Sequence, residues 1–385
     1  MASQVAAPIG PLAGHISTAI RLARVICIVG VVYAHSWTGL DGAAQAAADG
    51  TPQGILRWGL VEIFGRSAVP LLGMIAGWLV VGSLARLSYG RFVAAKARAV
   101  LIPMIVWNAV AIALVCGAAA LGWIAAPQIS SLWWLIDELL CLATPNDVNV
   151  QTPFLRDLFV CMVLAPVLVR APKPLLAALT AATLVWTLSG AEGILLLRPS
   201  ILFFFSIGIV LRRLYAAAAL GRLPMIVSVL PFAVLVGLRV WLEVHGAWSS
   251  PPLQLTATLD VVLRLAAAGA VWGVCWRLAK SPVAEALVQL EPFVFLVFCD
   301  HLILMWLGGP LVGRFTGPLG SPFYPPFLLL QPILVLALSV ALGRSLSRLS
   351  PNLARLLSGG RLNEPPKVTA PANAIPAESY WTRSR

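Results

Sequence analysis

Charged residues are scarce in this chain: Asp, Glu, Lys and Arg make up 11% of its 385 residues, against about 25% in a typical soluble domain. A surface so poor in charge excludes an ordinary soluble enzyme. The glycine patterns of dinucleotide and phosphate loops are missing as well, since no GxGxxG follows a strand and no GxxxxGK[ST] occurs. Six cysteines are present without a CxxC or a Cys/His spacing of the zinc kind, so neither a disulfide framework nor a metal site is expected. Histidine is sparser still, limited to His15, His35, His245 and His301. The net charge of +12 does not gather on a soluble basic face, and no nucleic-acid partner is expected from it. No stretch between apolar runs is long enough to fold as a soluble catalytic domain, so any chemistry must occur among membrane helices.

What is present is apolar sequence, 59% of the chain, arranged in runs of roughly 17–25 residues that suit a bilayer. The runs predict an all-α membrane protein, a bundle of about ten transmembrane helices near residues 19–37, 65–85, 100–124, 154–170, 174–190, 199–214, 224–244, 258–279, 291–308 and 325–343. The segment 130–142, with Trp133 and Trp134 beside Asp137 and Glu138, is too polar on one side to cross and is expected in the interface. The first run carries Arg21 and Arg24 and is followed by no small-x-small site, so it is expected to persist as the first span. With the N-terminus inside, 20 of the 27 basic residues fall in cytoplasmic segments, and the positive-inside rule then places both termini in the cytoplasm. The expected organisation is a short cytoplasmic segment at 1–18, a membrane domain at 19–343 and a Pro-containing tail at 344–385, too poor in apolar periodicity to pack.

An ionisable side chain within a span is costly and therefore a functional candidate. Arg24 and His35 stand eleven residues apart in RVICIVGVVYAH. That separation returns them to one helix face, about 20° apart in rotation and about 16 Å apart along the axis. Two readings are open for them, a snorkelling arginine with an interfacial histidine beside Trp37, or a functional pair. The predicted topology also gathers Arg66, Arg156 with Asp157, Arg264 and His301 in the outer half of the bundle. Such a cluster needs partners, and an anionic ligand or a developing oxyanion would supply one.

The Arg24 to His35 arrangement resembles the signature of the acyltransferase-3 family, integral membrane enzymes that move acyl groups from coenzyme A to hydroxyls of sugars and glycans. RSAVPLLGMIAGWLV at 66–80 is similar to the family's second-span pattern, with Pro70 and Gly77 in place, though Leu72 and Gly73 replace an aromatic pair and Ala76 replaces a serine. FVAAKARAVLIP at 92–103, FLRDLFV at 154–160, FFFSIGIVL around Gly208 and FLVFCDHLILM around His301 follow in the family's order. The resemblance spans about residues 20–343 and is to the short, membrane-only members that modify surface polysaccharides. It implies a protein of the bacterial inner membrane, acetyl-CoA or another acyl-CoA as donor, and a saccharide, exopolysaccharide or lipid-linked glycan precursor as acceptor.

On that resemblance His35 is the candidate base. Arg66, Arg156 and His301 are candidates to bind the oxyanion or acceptor, with Asp157 and Asp300 as orienters, and Arg24 and Arg98 are candidates for the donor's phosphates. Structural alternatives stand beside these: Arg98 and Lys96 as topology determinants, Asp157 as a salt-bridge partner of Arg156, and Asp300 as a bond between helices. Ser36 and Cys27 are poorly placed to face His35, which favours direct transfer over an acyl-enzyme. The competing function is a secondary transporter or flippase for an anionic metabolite or lipid-linked sugar, although the two halves show no matching pair of Gly/Pro-interrupted spans. A lipid-linked glycosyltransferase would need an acidic pair, and Asp41 and Asp49 stand in an Ala/Gly-rich setting without metal-like spacing.

Overall fold

A computed structural model of the chain describes residues 11–191, 193, 195–244 and 252–362. Among the described residues the protein is helical, with no strand, as expected where no water can satisfy an open backbone. The long elements are α1 (Pro11–Ala34), α2 (Pro52–Leu84) and α3 (Tyr89–Ala120). There follow the short α4 (Leu132–Leu140), then α5 (Pro153–Arg170), α6 (Lys173–Leu188), α7 (Pro199–Arg213) and α8 (Ala216–Arg222). The chain continues through α9 (Met225–Val244), α10 (Leu253–Leu278), α11 (Val283–Thr316), α12 (Tyr324–Leu349) and α13 (Pro351–Leu357).

Each of the ten expected spans coincides with a helix, but among the described residues seven are long and apolar enough to cross a membrane, or eight if α7 and α8, bent by 94°, form one span. The remaining two fall short for physical reasons. Helix α5 carries Arg156, Asp157 and Arg170 within 18 residues. Helix α6 has 16 residues, about 24 Å of rise against a hydrocarbon core of about 30 Å. The bend between α7 and α8 falls at Tyr215, which takes a left-handed conformation at φ 54°.

The tail differs from its expected disorder as far as it is described. Helix α12 runs on to Leu349 and α13 follows at once, with Ala354 and Leu357 buried. Residues 363–385 lie outside the described residues.

Helix α1 occupies the centre, packed against α2, α10, α11 and α12. In its apolar window 61% of residues are buried, against 11% for the peripheral α9. Small residues let the helices approach. A Cβ on Gly30 of α1 would lie 2.1 Å from the Phe64 carbonyl oxygen, in a π-helical turn of α2 at Val61–Gly65. Helices α2 and α7 interlock reciprocally: a Cβ on Gly77 would meet Phe205 O at 1.9 Å, and one on Gly208 would meet Met74 O at 2.0 Å.

Backbone cannot retreat as a flexible side chain can, so Gly77→Ala and Gly208→Ala are each expected to cost roughly 1–3 kcal/mol. Gly82→Ala, with nothing within 4 Å of its Cβ, should be neutral or stabilising by up to about 1 kcal/mol. Thermal unfolding of the three variants in detergent checks this, and equal midpoints would refute the interlock.

Candidate active site

The end of α1 is fixed by polar groups from α12. After Ala34 the chain tightens, with His35 N bonding Val32 O and Ser36 N bonding Tyr33 O, both at 3.2 Å. Trp37 N then donates to Gln331 Oε1 at 2.9 Å, while Gln331 Nε2 and the Tyr324 hydroxyl donate back to Trp37 O at 3.2 and 2.8 Å. The Trp37 ring fits against Gly309 and Gly313 of α11, where added Cβ atoms would lie 2.4 and 2.2 Å from it. These contacts leave His35 little freedom of orientation.

His301 of α11 is fully buried. Its Nδ1 lies 3.0 Å from Val297 O and 2.9 Å from Phe298 O. Both are acceptors, so in a neutral ring Nδ1 carries the proton and Nε2 the lone pair. That Nε2 faces Nδ1 of His35 at 3.2 Å, and the same His35 atom lies 3.0 Å from Val31 O. His35 Nδ1 is therefore the protonated nitrogen, directed at two acceptors, and His35 Nε2 is left as a base. Asp300, beside His301 in sequence, turns to α12, where it accepts from the Ser339 hydroxyl at 2.8 Å.

Below the histidines lies a cavity of about 170 Å³ with apolar walls and a charged end formed by Arg24, Lys96, Arg361 and Glu291. Arg24 Nη1 donates to Glu291 Oε1 at 2.7 Å. At the other end Phe298 lines the cavity, with its ring centre 6.3 Å from that of His301. Arg98 is exposed, bonds Ala94 O through Nε at 3.2 Å and does not line this cavity. Lys96 and Arg361 stand there instead.

The other expected outer cluster divides into two ion-paired groups. Arg66 donates to Glu62 and to Asp260, and Asp260 also accepts from Arg264. Two cations thus meet two carboxylates. Asp157, fully buried, accepts from Arg156 Nη1 at 2.6 Å, Leu197 N at 3.2 Å and Arg198 N at 2.7 Å. It clamps the loop that enters α7. Arg156 also donates to Leu195 O at 2.8 Å in that loop.

Sequence reasoning missed the framework that backs the histidines. Asp137 accepts from Leu142 N, Ala143 N and Thr144, and Glu138 accepts from Asp147 N and Val148 N. Burial works to raise Asp137, but the Thr144 hydroxyl and three backbone N–H groups outweigh it and hold the carboxyl below its usual value. For Glu138 burial prevails and the shift is upward. The loop so shaped delivers Asn149 and Gln151, whose amide donates to Asn149 Oδ1 at 2.6 Å and to Phe298 O at 3.1 Å, one turn before His301. Asp137 and Glu138 stand out in the sequence only as the polar side of segment 130–142, and nothing in local pattern marks Asn149 or Gln151. The Glu62–Arg66 and Asp260–Arg264 pairs did carry a readable signal, their i,i+4 spacing.

Comparison with known proteins now bears on this geometry. A family model described as an acyltransferase domain matches residues 17–344. The chain is 28% identical over 394 residues to the succinoglycan biosynthesis protein ExoH of Rhizobium meliloti (strain 1021), covering 94% of this chain and 97% of that one. No solved structure matches.

The ion-paired group around Arg66 should respond to charge removal as a buried network does. Arg66→Leu strands Glu62, which is 3% exposed, and is expected to cost roughly 3–5 kcal/mol. Combining it with Glu62→Gln should recover a substantial part. Thermal unfolding of Arg66→Leu, Glu62→Gln and the double variant checks this; a double-variant loss equal to the sum of the two single losses would mean the pair is uncoupled.

Proposed function

From the premise that the chain belongs to the acyltransferase-3 family, we propose that this membrane acyltransferase moves an acyl group, acetyl in the simplest case, from acyl-CoA to a saccharide hydroxyl. The acceptor is a polysaccharide or its lipid-linked precursor, in keeping with the similarity to a succinoglycan biosynthesis protein. The observation that carries the reading is the placement of a histidine pair one turn beyond Phe298, which lines a cavity whose other end is lined by cations. A thioester on a long phosphate-bearing carrier has that polarity, with anionic charge at one end and the reacting carbon at the other.

In this reading Arg24 and Lys96 hold donor phosphates, and the pantetheine arm lies along the apolar wall toward Phe298. His35 Nε2 takes the proton of the acceptor hydroxyl as its oxygen attacks the thioester carbonyl. The tetrahedral intermediate collapses, the C–S bond breaks, and the leaving thiolate recovers the proton from His35. His301 is a positioning residue that fixes the His35 tautomer. Arg156, held by Asp157 beside the α7 entry loop, is the candidate for the acceptor or the oxyanion. Arg66, neutralised by Glu62 and Asp260, maintains the bundle on the same side. The bacterial inner membrane with both termini in the cytoplasm would bring the cation-lined end to the cytosolic donor.

The test is transfer of radiolabelled acetyl from acetyl-CoA to glycan extracts by membranes containing matched amounts of each protein. Wild type should label the glycan, and His35→Ala should lose roughly 10²–10⁴-fold in rate, the usual contribution of a general base. His301→Gln, which can still accept from His35, should retain more activity than His301→Leu. Undiminished transfer by His35→Ala would remove it from the chemistry. No transfer by wild type, together with uptake of an anionic solute, would replace the enzyme reading with the transporter.

A further inference from the structure

The family match ends at residue 344, yet the cavity takes one of its cations from beyond that point. We infer that residues 350–362 form a built-in part of the donor site, closing its charged end and supplying Arg361 as a phosphate-binding residue; this rests on the acyl-CoA reading above.

The segment is seated by specific contacts. Non-helical backbone at Ser350 ends α12, and α13 follows. Leu357 O accepts from the buried Trp107 Nε1 at 2.9 Å. Gly359 takes a left-handed conformation at φ +60°, and a Cβ there would lie 2.3 Å from Ala99 O. Ala99 belongs to a π-helical turn of α3 at Ala97–Leu101, and such turns disturb the regular pairing of carbonyls along a helix. Arg361 Nη1 donates to that Ala99 O at 3.2 Å and to Ser358 O at 2.9 Å. Its guanidinium lies 4.1 Å from the Phe295 ring centre, and Phe295 also lines the cavity.

The charge arrangement says what this end would hold. Among the described lining residues, Arg24, Lys96 and Arg361 face one carboxylate, Glu291, and Arg24 already bonds it. Lys96 Nζ makes no hydrogen bond among the described residues and lies 5.6 Å from the Phe92 ring centre. Cations gathered around an apolar cavity are costly without an anion, and a guanidinium suits phosphate oxygens through its fork of donors. The ligand class is the phosphorylated nucleotide end of coenzyme A. An arginine that served only to staple the chain end would bind carbonyls equally well but would not distinguish phosphorylated from unphosphorylated donors.

The experiment measures binding of CoA and of pantetheine to full-length protein in detergent by titration calorimetry, with unfolding midpoints as fold controls. Wild type should bind CoA. Arg361→Ala should weaken CoA binding roughly ten- to hundredfold, as expected for loss of a charge-assisted contact, and leave pantetheine binding unchanged. Arg361→Lys should lose less. Gly359→Val, which keeps the charge but displaces the segment from Ala99, should match Arg361→Ala, and Arg355→Ala, an exposed charge on α13, should match wild type. If wild type binds no CoA, the donor reading and this inference fall together. If wild type binds CoA and the Arg361 variants bind it equally well, or lose CoA and pantetheine alike, the donor reading stands and the inference alone is overturned.

Discussion

Everything in the site depends on how α1 is held to α11. In hydrocarbon a polar side chain must find its partner within the protein, and α1 carries two such groups on one face. Glu291 meets Arg24, and His301 meets His35. The first two of these lie ten residues before and eleven residues before their neighbours on the respective helices, about 15 and 16 Å of rise. The two helices therefore run in the same direction with matched spacing, and either pairing fixes the register of the other. A slip of one turn, about 5.4 Å, would strand a charge and an imidazole together. Gly30 against Phe64 O then fixes α1 sideways to α2, so the histidine pair is located by contacts from three helices.

The electrostatics divide the polar residues by what they can do. Arg66 and Arg264 face Glu62 and Asp260, and the group is close to neutral, suited to stabilising helix association and poorly suited to attracting an anion. The cavity end is the opposite case, with more cationic than anionic groups among its described lining residues. Arg156 lies between these extremes. Its bond to a fully buried Asp157 fixes it, while its bond to Leu195 O ties it to the loop that also contains Arg198. That loop brings a second arginine, Arg198, beside Asp157 as well.

The helices were legible because apolar runs are local. Their partners were not, since Glu291 lies 267 residues from Arg24 and Gln331 lies 294 from Trp37. His35 and His301 stand out in the sequence as rare ionisable groups in apolar runs, yet contact between them depends on the register just described. Arg98 was attractive because it is basic at the edge of a span, but the helical rotation that leaves it exposed carries Lys96 to the cavity instead. The described start of the tail, 344–362, is ordered for a different reason. Prolines and weak periodicity look like disorder when only self-packing is considered, whereas α13 is short, lacks a core of its own and is held by Trp107 and by the backbone approach at Gly359.

A histidine behind a histidine suits this setting better than the carboxylate that often orients a catalytic imidazole. A buried carboxylate would add a permanent charge to the middle of the bundle, where desolvation is costly. Two neutral rings carry none at rest, and His301 still fixes the tautomer because its own Nδ1 proton is committed to Val297 O and Phe298 O. Asp300 is only one residue away, but about 100° of helical rotation directs it to Ser339 on α12 and away from the pair. In the proposed reaction the imidazolium exists only between removal of the acceptor's proton and its return to the departing thiolate. Positive charge near His35 thus coincides with negative charge on the tetrahedral oxygen, and the low-dielectric surroundings that penalise an isolated ion strengthen the attraction between the two.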